Sequence, residues 1–395
     1  MRNLVVIVIA GCLISAISFG VRAGFGLFLE PMSINLGWGR EVFALSIAIQ
    51  NLLWGVGQPF AGAIADRYGS GRVLAGGALL YAAGIALMSV SSTPLAMHLT
   101  AGVMVGLGIS GASFAVVLAA LTRMVPPEKT GWVLGIGTAA GSLGQFLFVP
   151  LGQAFLAAYG WQSALMILGT IAAVMIPLAR CLTGKPTNLG REQTLGEALR
   201  EAGAHRGYWF LLSGFFVCGF HVAFIQVHLP AYLAGNGLSG SIAAWSLATI
   251  GLFNIAGAYL AGTFAGRFRD KRILSAIYFV RAIAIAAFVI LPISAASTYV
   301  FSAVMGLMWL STVPLTSSIV VQVFGARFVG TLFGIVFFSH QVGAFVGVWM
   351  GGKVFDATGS YLPVWWMAVG LGAFAALINL PIDDRRLTDA KSASV

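Results

Sequence analysis

Gly62, Arg67, Arg72 and Leu74 recur 200 residues further on as Gly262, Arg267, Arg272 and Leu274. Each copy is a polar hinge set between two long apolar runs, so the chain reads as two related halves joined by one linker. Doubling of this kind constrains the fold more than local propensity does, because any shared site then falls on the seam between the halves. Composition identifies the medium: hydrophobic residues make up 59% of the 395 and charged residues 9%, with a mean hydropathy of +0.93. Such a chain is an integral membrane protein. Segments long enough to cross ~30 Å of hydrocarbon begin near residues 4, 41, 73, 94, 131, 161, 208, 242, 273, 298, 329 and 362, six in each half. They are apolar on every face, which suits helices and not barrel strands, whose residues alternate. The expected fold class is all-α integral membrane, with twelve transmembrane helices in two pseudo-symmetric six-helix bundles. The expected boundaries are an N-terminal bundle over 1–180, a cytoplasmic linker with a short surface helix over 181–207, a C-terminal bundle over 208–382 and a cytoplasmic tail over 383–395.

The net charge of +10 comes from basic residues that follow the loops on one side of the membrane. Only Arg40 and Lys353 fall on the other side, and Arg22 and Arg281 lie within spans. That asymmetry places both termini in the cytoplasm of a multi-pass protein of the plasma membrane, the inner membrane of a bacterium, and gives no nucleic-acid patch. Cys12, Cys181 and Cys218 read as packing residues rather than a disulfide framework. Ile9-Ala10-Gly11-Cys12 imitates a lipoprotein attachment signal, but cleavage there would destroy the first span. In the linker, Thr194 and Glu197 have capping-box spacing, and Leu195, Ala198, Leu199 and Ala202 form an apolar stripe at helical spacing. The tail from Asp383 reads as disordered.

The first hinge is GAIADRYGSGRVL, Gly62 to Leu74. Gly62 and Gly69 permit tight turning and close approach to a neighbour. Asp66, flanked by Arg67 and Arg72, supplies a charge-assisted lock at the ends of two helices, or else a solvated carboxylate in a basic loop. The second copy carries Gly266 where the acid would stand. This stretch, echoed in the second half of a twelve-span chain, resembles the signature between helices 2 and 3 of the major facilitator superfamily. The resemblance implies two bundles that rock about a midplane site lined by helices 1, 4, 7 and 10, with the hinge acting as a gate.

A charge at the bilayer centre costs ~2.5–3.5 kcal/mol on insertion scales, so intramembrane arginines and histidines are the first substrate candidates. Arg22 shares a helix face with Ser15 and Ser18; its alternative is to snorkel to the interface. Arg281 lies mid-way along span 9, where it binds either substrate or the carbonyls of a neighbouring helix. His221 and His228 are seven apart on one face of span 7, and the 200-residue shift puts His221 opposite Val21, beside Arg22. His340 shares a face with Gly343 and Gly347. GIVFFSHQVGAF, Gly334 to Phe345, resembles the eleventh helix of oxalate/formate antiporters and monocarboxylate porters, with His340 where the antiporters have a substrate-binding lysine. Monocarboxylate porters use an arginine in helix 8, where this chain offers Asn254. Gln50, Asn51, Gln145, Gln226, Thr312 and Thr316 are secondary polar candidates.

Asp and Glu are absent from the central part of every predicted span, which disfavours a carboxylate relay and a cationic substrate. Gly137, Gly141 and Gly144 resemble an antiporter motif in which Ser142 replaces the usual proline, and Gly102 stands where many proton-linked exporters have arginine. There is no phosphate loop, metal cluster or paired nucleophile and base, so neither an enzyme nor a cofactor is expected. The expected function is secondary active transport of a small organic anion, a monocarboxylate, by a monomer in the lipid bilayer, coupled to protons or a counter-anion by symport or antiport. Two alternatives stand beside it. One is export of neutral or lipophilic compounds past Phe25, Phe114, Phe224 and Trp309; the other is a non-transporting sensor with a transporter fold.

Overall fold

The computed structural model describes residues 4–125, 130–183, 195–324 and 329–383, which form helices and turns without a strand among them. Helix α1 runs Leu4–Ala23 and, after a break at Gly24 and Phe25, continues as Gly26–Leu36. It is followed by α2 (Arg40–Tyr68), α3 (Ser70–Met88) and α4 (Pro94–Met124). The helical run Thr130–Ala173 is two spans, because Gly160 has φ 74° and ψ 171° and reverses the chain between α5 (130–159) and α6 (161–182). The second half repeats the order with α7 (Arg206–Gly235), α8 (Gly240–Phe264), α9 (Asp270–Ile290), α10 (Ala295–Phe324), α11 (Val329–Thr358) and α12 (Leu362–Asn379). Between the halves a short helix covers Leu195–Ala204; of the expected apolar stripe Ala202 is buried and Leu199 exposed, and Trp209 Nε1 donates to Gly203 O at 2.8 Å. Thr194 of the expected capping box and the tail beyond Asp383 lie outside the described residues.

In lipid, helices gain little from apolar burial against one another, so close backbone approach and buried polar pairs decide which helices touch. Helix α1 crosses α5 where Gly144 meets the backbone of Ala16, and α7 crosses α11 where Gly343 meets the backbone of Phe216, the 200-residue counterpart of Ala16. The halves meet along two long seams, α2 on α11 and α5 on α8, and at a shorter contact where Gly26 of α1 lies against the backbone of Gln226 and Val227 in α7. On the second seam Gln145 Nε2 donates to Leu247 O at 2.7 Å and Asn254 Nδ2 to Ser142 Oγ at 2.9 Å.

Helices α4 and α10 are both interrupted, at Ala112–Ser113 and at Trp309–Ser311, nearly the same place after the 200-residue shift. The residues behind them are equivalent too: Tyr81 of α3 donates to Ser18 O at 3.1 Å, and Arg281 of α9 reaches Cys218, the counterpart of Ser18. An interrupted helix inside a membrane leaves unpaired carbonyls that must find donors. In the second half that donor is an arginine.

Candidate functional site

Because α1 continues to Leu36, Arg22 lies near the middle of its length, just before the break at Gly24, and not at an interface. It is half-buried. One terminal nitrogen donates to Asn51 Oδ1 of α2 at 2.5 Å, the guanidinium lies 4.7 Å from the centre of the Trp54 ring, and Nε has no partner. Asn51 is itself fixed by Nδ2 donating to Ile47 O at 2.8 Å, so its carbonyl oxygen is aimed at the arginine. Arg40 pairs with Glu30 and Arg123 with Asp66, while among the described residues no carboxylate pairs with Arg22. From Trp54 a row of rings crosses the seam. Trp54 meets Phe337 of α11 edge-on at 5.4 Å, Phe337 lies parallel to His340 at 5.9 Å, and His340 lies 5.0 Å from Phe215 of α7. Arg22 and His340, one from each half, thus border one aromatic wall. His340 Nδ1 is 3.2 Å from Gln341 Oε1.

The other intramembrane candidates are enclosed. Arg281 is fully buried, donating through one terminal nitrogen to the carbonyls of Met308 and Trp309 and through the other to Cys218 Sγ at 3.4 Å. A cation at the carbonyl end of a helix segment is favourable, and here it closes the break in α10. Asn254 serves the same break from α8, its Oδ1 accepting from Leu310 N at 3.0 Å while its Nδ2 holds Ser142 of the opposite half. His221 lies against α12, with Nε2 2.8 Å from Ala368 O, and does not reach across the seam toward Arg22. The face it shares with His228 is turned inside its own half: His228 Nε2 is 2.7 Å from Val348 O, and Nδ1 is 3.2 Å from the Tyr361 hydroxyl. The aromatic candidates Phe25, Phe224 and Trp309 are packed away, whereas Phe114 is half-buried.

At the end of the bundle opposite the termini the two halves are clamped by residues that the sequence pattern did not bring together. Asp356, at the end of α11, accepts from the backbone N–H of Arg40 at 2.9 Å and of Glu41 at 2.7 Å, and so caps the start of α2 across the seam. Gly39 makes room for it, since a Cβ there would strike the carboxylate. Arg40 donates to the Tyr361 hydroxyl at 3.0 Å, pairs with Glu30 at 3.3 Å and lies 3.8 Å over Phe355, while Trp349 Nε1 donates to Glu41 at 3.0 Å. A run of Gly-Arg-Glu opening a span hints at capping by something outside the helix, but nothing local names a partner 316 residues away.

The family model described as Major Facilitator Superfamily matches residues 11–348. The chain belongs to this superfamily. An uncharacterized major-facilitator-type transporter, YcxA of Bacillus subtilis (strain 168), is 28% identical over 91% of this chain and 90% of its own length. Monocarboxylate transporter 13 of Rattus norvegicus is 24% identical over 93% and 86%, and an oxalate:formate antiporter of Oxalobacter formigenes 24% over 72% and 68%. Among solved structures, an inward-facing, occupied bacterial homologue of the human lysosomal transporter Spinster superposes with a TM-score of 0.77 at 15% identity, covering 97% of each chain, which shows the fold. The chain is thus a multi-pass transporter with the twelve-helix architecture of that superfamily.

The superfamily hinge departs from its expected geometry. Gly69, at φ 94°, supplies the turn between α2 and α3. Gly62 is a helical residue with open space where a Cβ would go, so neither a turn nor a close approach explains it. Asp66 pairs with Arg123 at the end of α4, not with its neighbours: Arg67 extends over the Tyr68 ring, and Arg72 is exposed. Adjacent residues on a helix do not face each other, which is why the partner comes from another span. The second half has its own acid, displaced from Gly266 to Asp270. That buried carboxylate accepts from Gly266 N at 2.9 Å and from Gln322 Nε2 at 2.7 Å, so α10 stands to it as α4 stands to Asp66.

Proposed function

We propose that this transporter moves a small organic monocarboxylate by alternating access, coupled to a proton or a counter-anion, with Arg22 taking the carboxylate and His340 bordering the same site from the other half. One observation carries the reading: a half-buried arginine midway along α1, oriented by Asn51 and Trp54 and left without an acidic partner among the described residues. A desolvated guanidinium favours a planar anion that takes two of its N–H groups. The names of the rat monocarboxylate transporter and of the oxalate:formate antiporter point to the same ligand chemistry. Arg281, Asn254, His221 and His228 serve the site at one remove, holding the break in α10 and the packing of α7. The acids of the hinge and of the clamp lie at helix ends, so the proton, where one is carried, rides on His340 or on the substrate. The hinge carboxylate Asp66 gates the end that holds the termini, with Arg67 and Arg72 keeping that loop in the cytoplasm; the protein acts as a monomer in the plasma membrane.

Counterflow in proteoliposomes tests this. Labelled monocarboxylate should exchange against internal monocarboxylate, Arg22→Ala should abolish exchange, and Arg22→Lys should restore a fraction of it. If neutral lipophilic compounds are moved while carboxylates do not compete and Arg22→Ala is indifferent, the exporter reading replaces this one. Binding without movement under any imposed gradient would instead identify a sensor.

A further inference from the structure

We infer that the carboxylate held by Arg22 belongs to a molecule with a planar aromatic ring, a benzoate- or phenylacetate-like monoanion rather than a short hydroxy, keto or dicarboxylic acid. This rests on the carboxylate reading above.

Two observations converge on it. The neighbourhood of Arg22 presents ring surface. Trp54 and Phe337 are half-buried although both sit on the seam between halves, and they connect Arg22 to His340 through contacts at 5.4 and 5.9 Å. A flat ring attached to a carboxylate that Arg22 holds has the open part of this wall to lie against, by edge or offset stacking. The charge count agrees. Of the two arginines in the core only Arg22 is partly open, because Arg281 is enclosed by Met308, Trp309 and Cys218. A second carboxylate would therefore face no open guanidinium, which selects a monoanion.

Titration calorimetry on the purified full chain, with benzoate, phenylacetate, acetate, lactate, oxalate and the neutral analogue benzamide as probes, tests the inference. Benzoate or phenylacetate should bind at least about tenfold more tightly than acetate or lactate, the preference one good ring contact confers, with oxalate weak and benzamide silent. Phe337→Ala should weaken the aromatic acids by about the same tenfold and leave acetate within about twofold; Phe337→Leu, which keeps volume, should do the same if the alanine variant does not fold. Acetate or lactate binding as tightly as benzoate to the wild type, or a loss at Phe337 shared equally by acetate, would overturn the ring inference and leave the carboxylate reading standing. Binding of benzamide equal to benzoate, or no binding by any carboxylate, would remove the carboxylate reading and this inference with it.

Discussion

Asp356→Ala should open the end of the bundle opposite the termini. In the structure this carboxylate from α11 takes the first two free N–H groups of α2, at 2.9 and 2.7 Å, so it acts at once as a cap and as a charge at a helix N-terminus, and it does so between the two halves. Losing a cap costs ~0.5–2 kcal/mol, and losing the charge at the helix end ~0.3–1 kcal/mol. Because Asp356 is exposed, a combined ~1–2 kcal/mol is the appropriate scale, a factor of about 5–30 in the equilibrium between closed and open far ends. If the open form starts at ~5%, it should rise to about 20–60%. Spin labels at Ile34 of α1 and Leu362 of α12, both exposed and one in each half, report the opening as a longer-distance population in pulsed-dipolar measurements. Gly39→Ala should shift the distribution the same way, by driving the carboxylate off its cradle. The double variant should add little to either single one, since both remove one interaction. Unchanged distances in both variants, or full additivity, would refute the capping argument.

Arg281→Met should lower thermal stability by about 3 kcal/mol, because the carbonyls of Met308 and Trp309 are left buried without a donor; a melting curve near wild type would show that the α10 break does not need it. Asp66→Asn removes an exposed ion pair with Arg123 and should cost less than about 1 kcal/mol. Asp270→Asn disturbs a buried carboxylate that serves Gly266 and Gln322 and should cost about 1–3 kcal/mol, so the two melting curves should order accordingly. His205, at the start of α7, has its pKa lowered by burial, partly opposed by Asp383 nearby. The fold therefore favours the neutral imidazole: stability is full above the ordinary histidine value of about 6.5 and declines as the pH falls below it toward the folded value. His205→Gln should flatten that decline in a melting series from pH 8 to pH 5.

The twelve spans, the repeat and the helix in the linker were legible because each is written in local composition: apolar runs of bilayer length, a hinge recurring at a shift of 200 residues, and a stripe at helical spacing before Ala202. Arg22 was legible as an intramembrane charge, since few residues are tolerated there without a reason. Its neighbours were not. Helix periodicity put His221 on a face with His228, and the repeat put it opposite Val21, beside Arg22, yet α12 packs against that face and the imidazole bonds Ala368 instead. The hinge acid was read from its motif, but its partner, Arg123, comes from another span, and the second acid sits at Asp270 rather than at Gly266. Sequence by itself determined what each segment is and which side of the polar–apolar divide it occupies, because those properties follow from residues a few positions apart. Which arginine stays open, which is closed over by a broken helix, and which carboxylate caps a helix of the opposite half were decided only by tertiary packing, because each depends on atoms from segments tens to hundreds of residues apart being brought within hydrogen-bond distance.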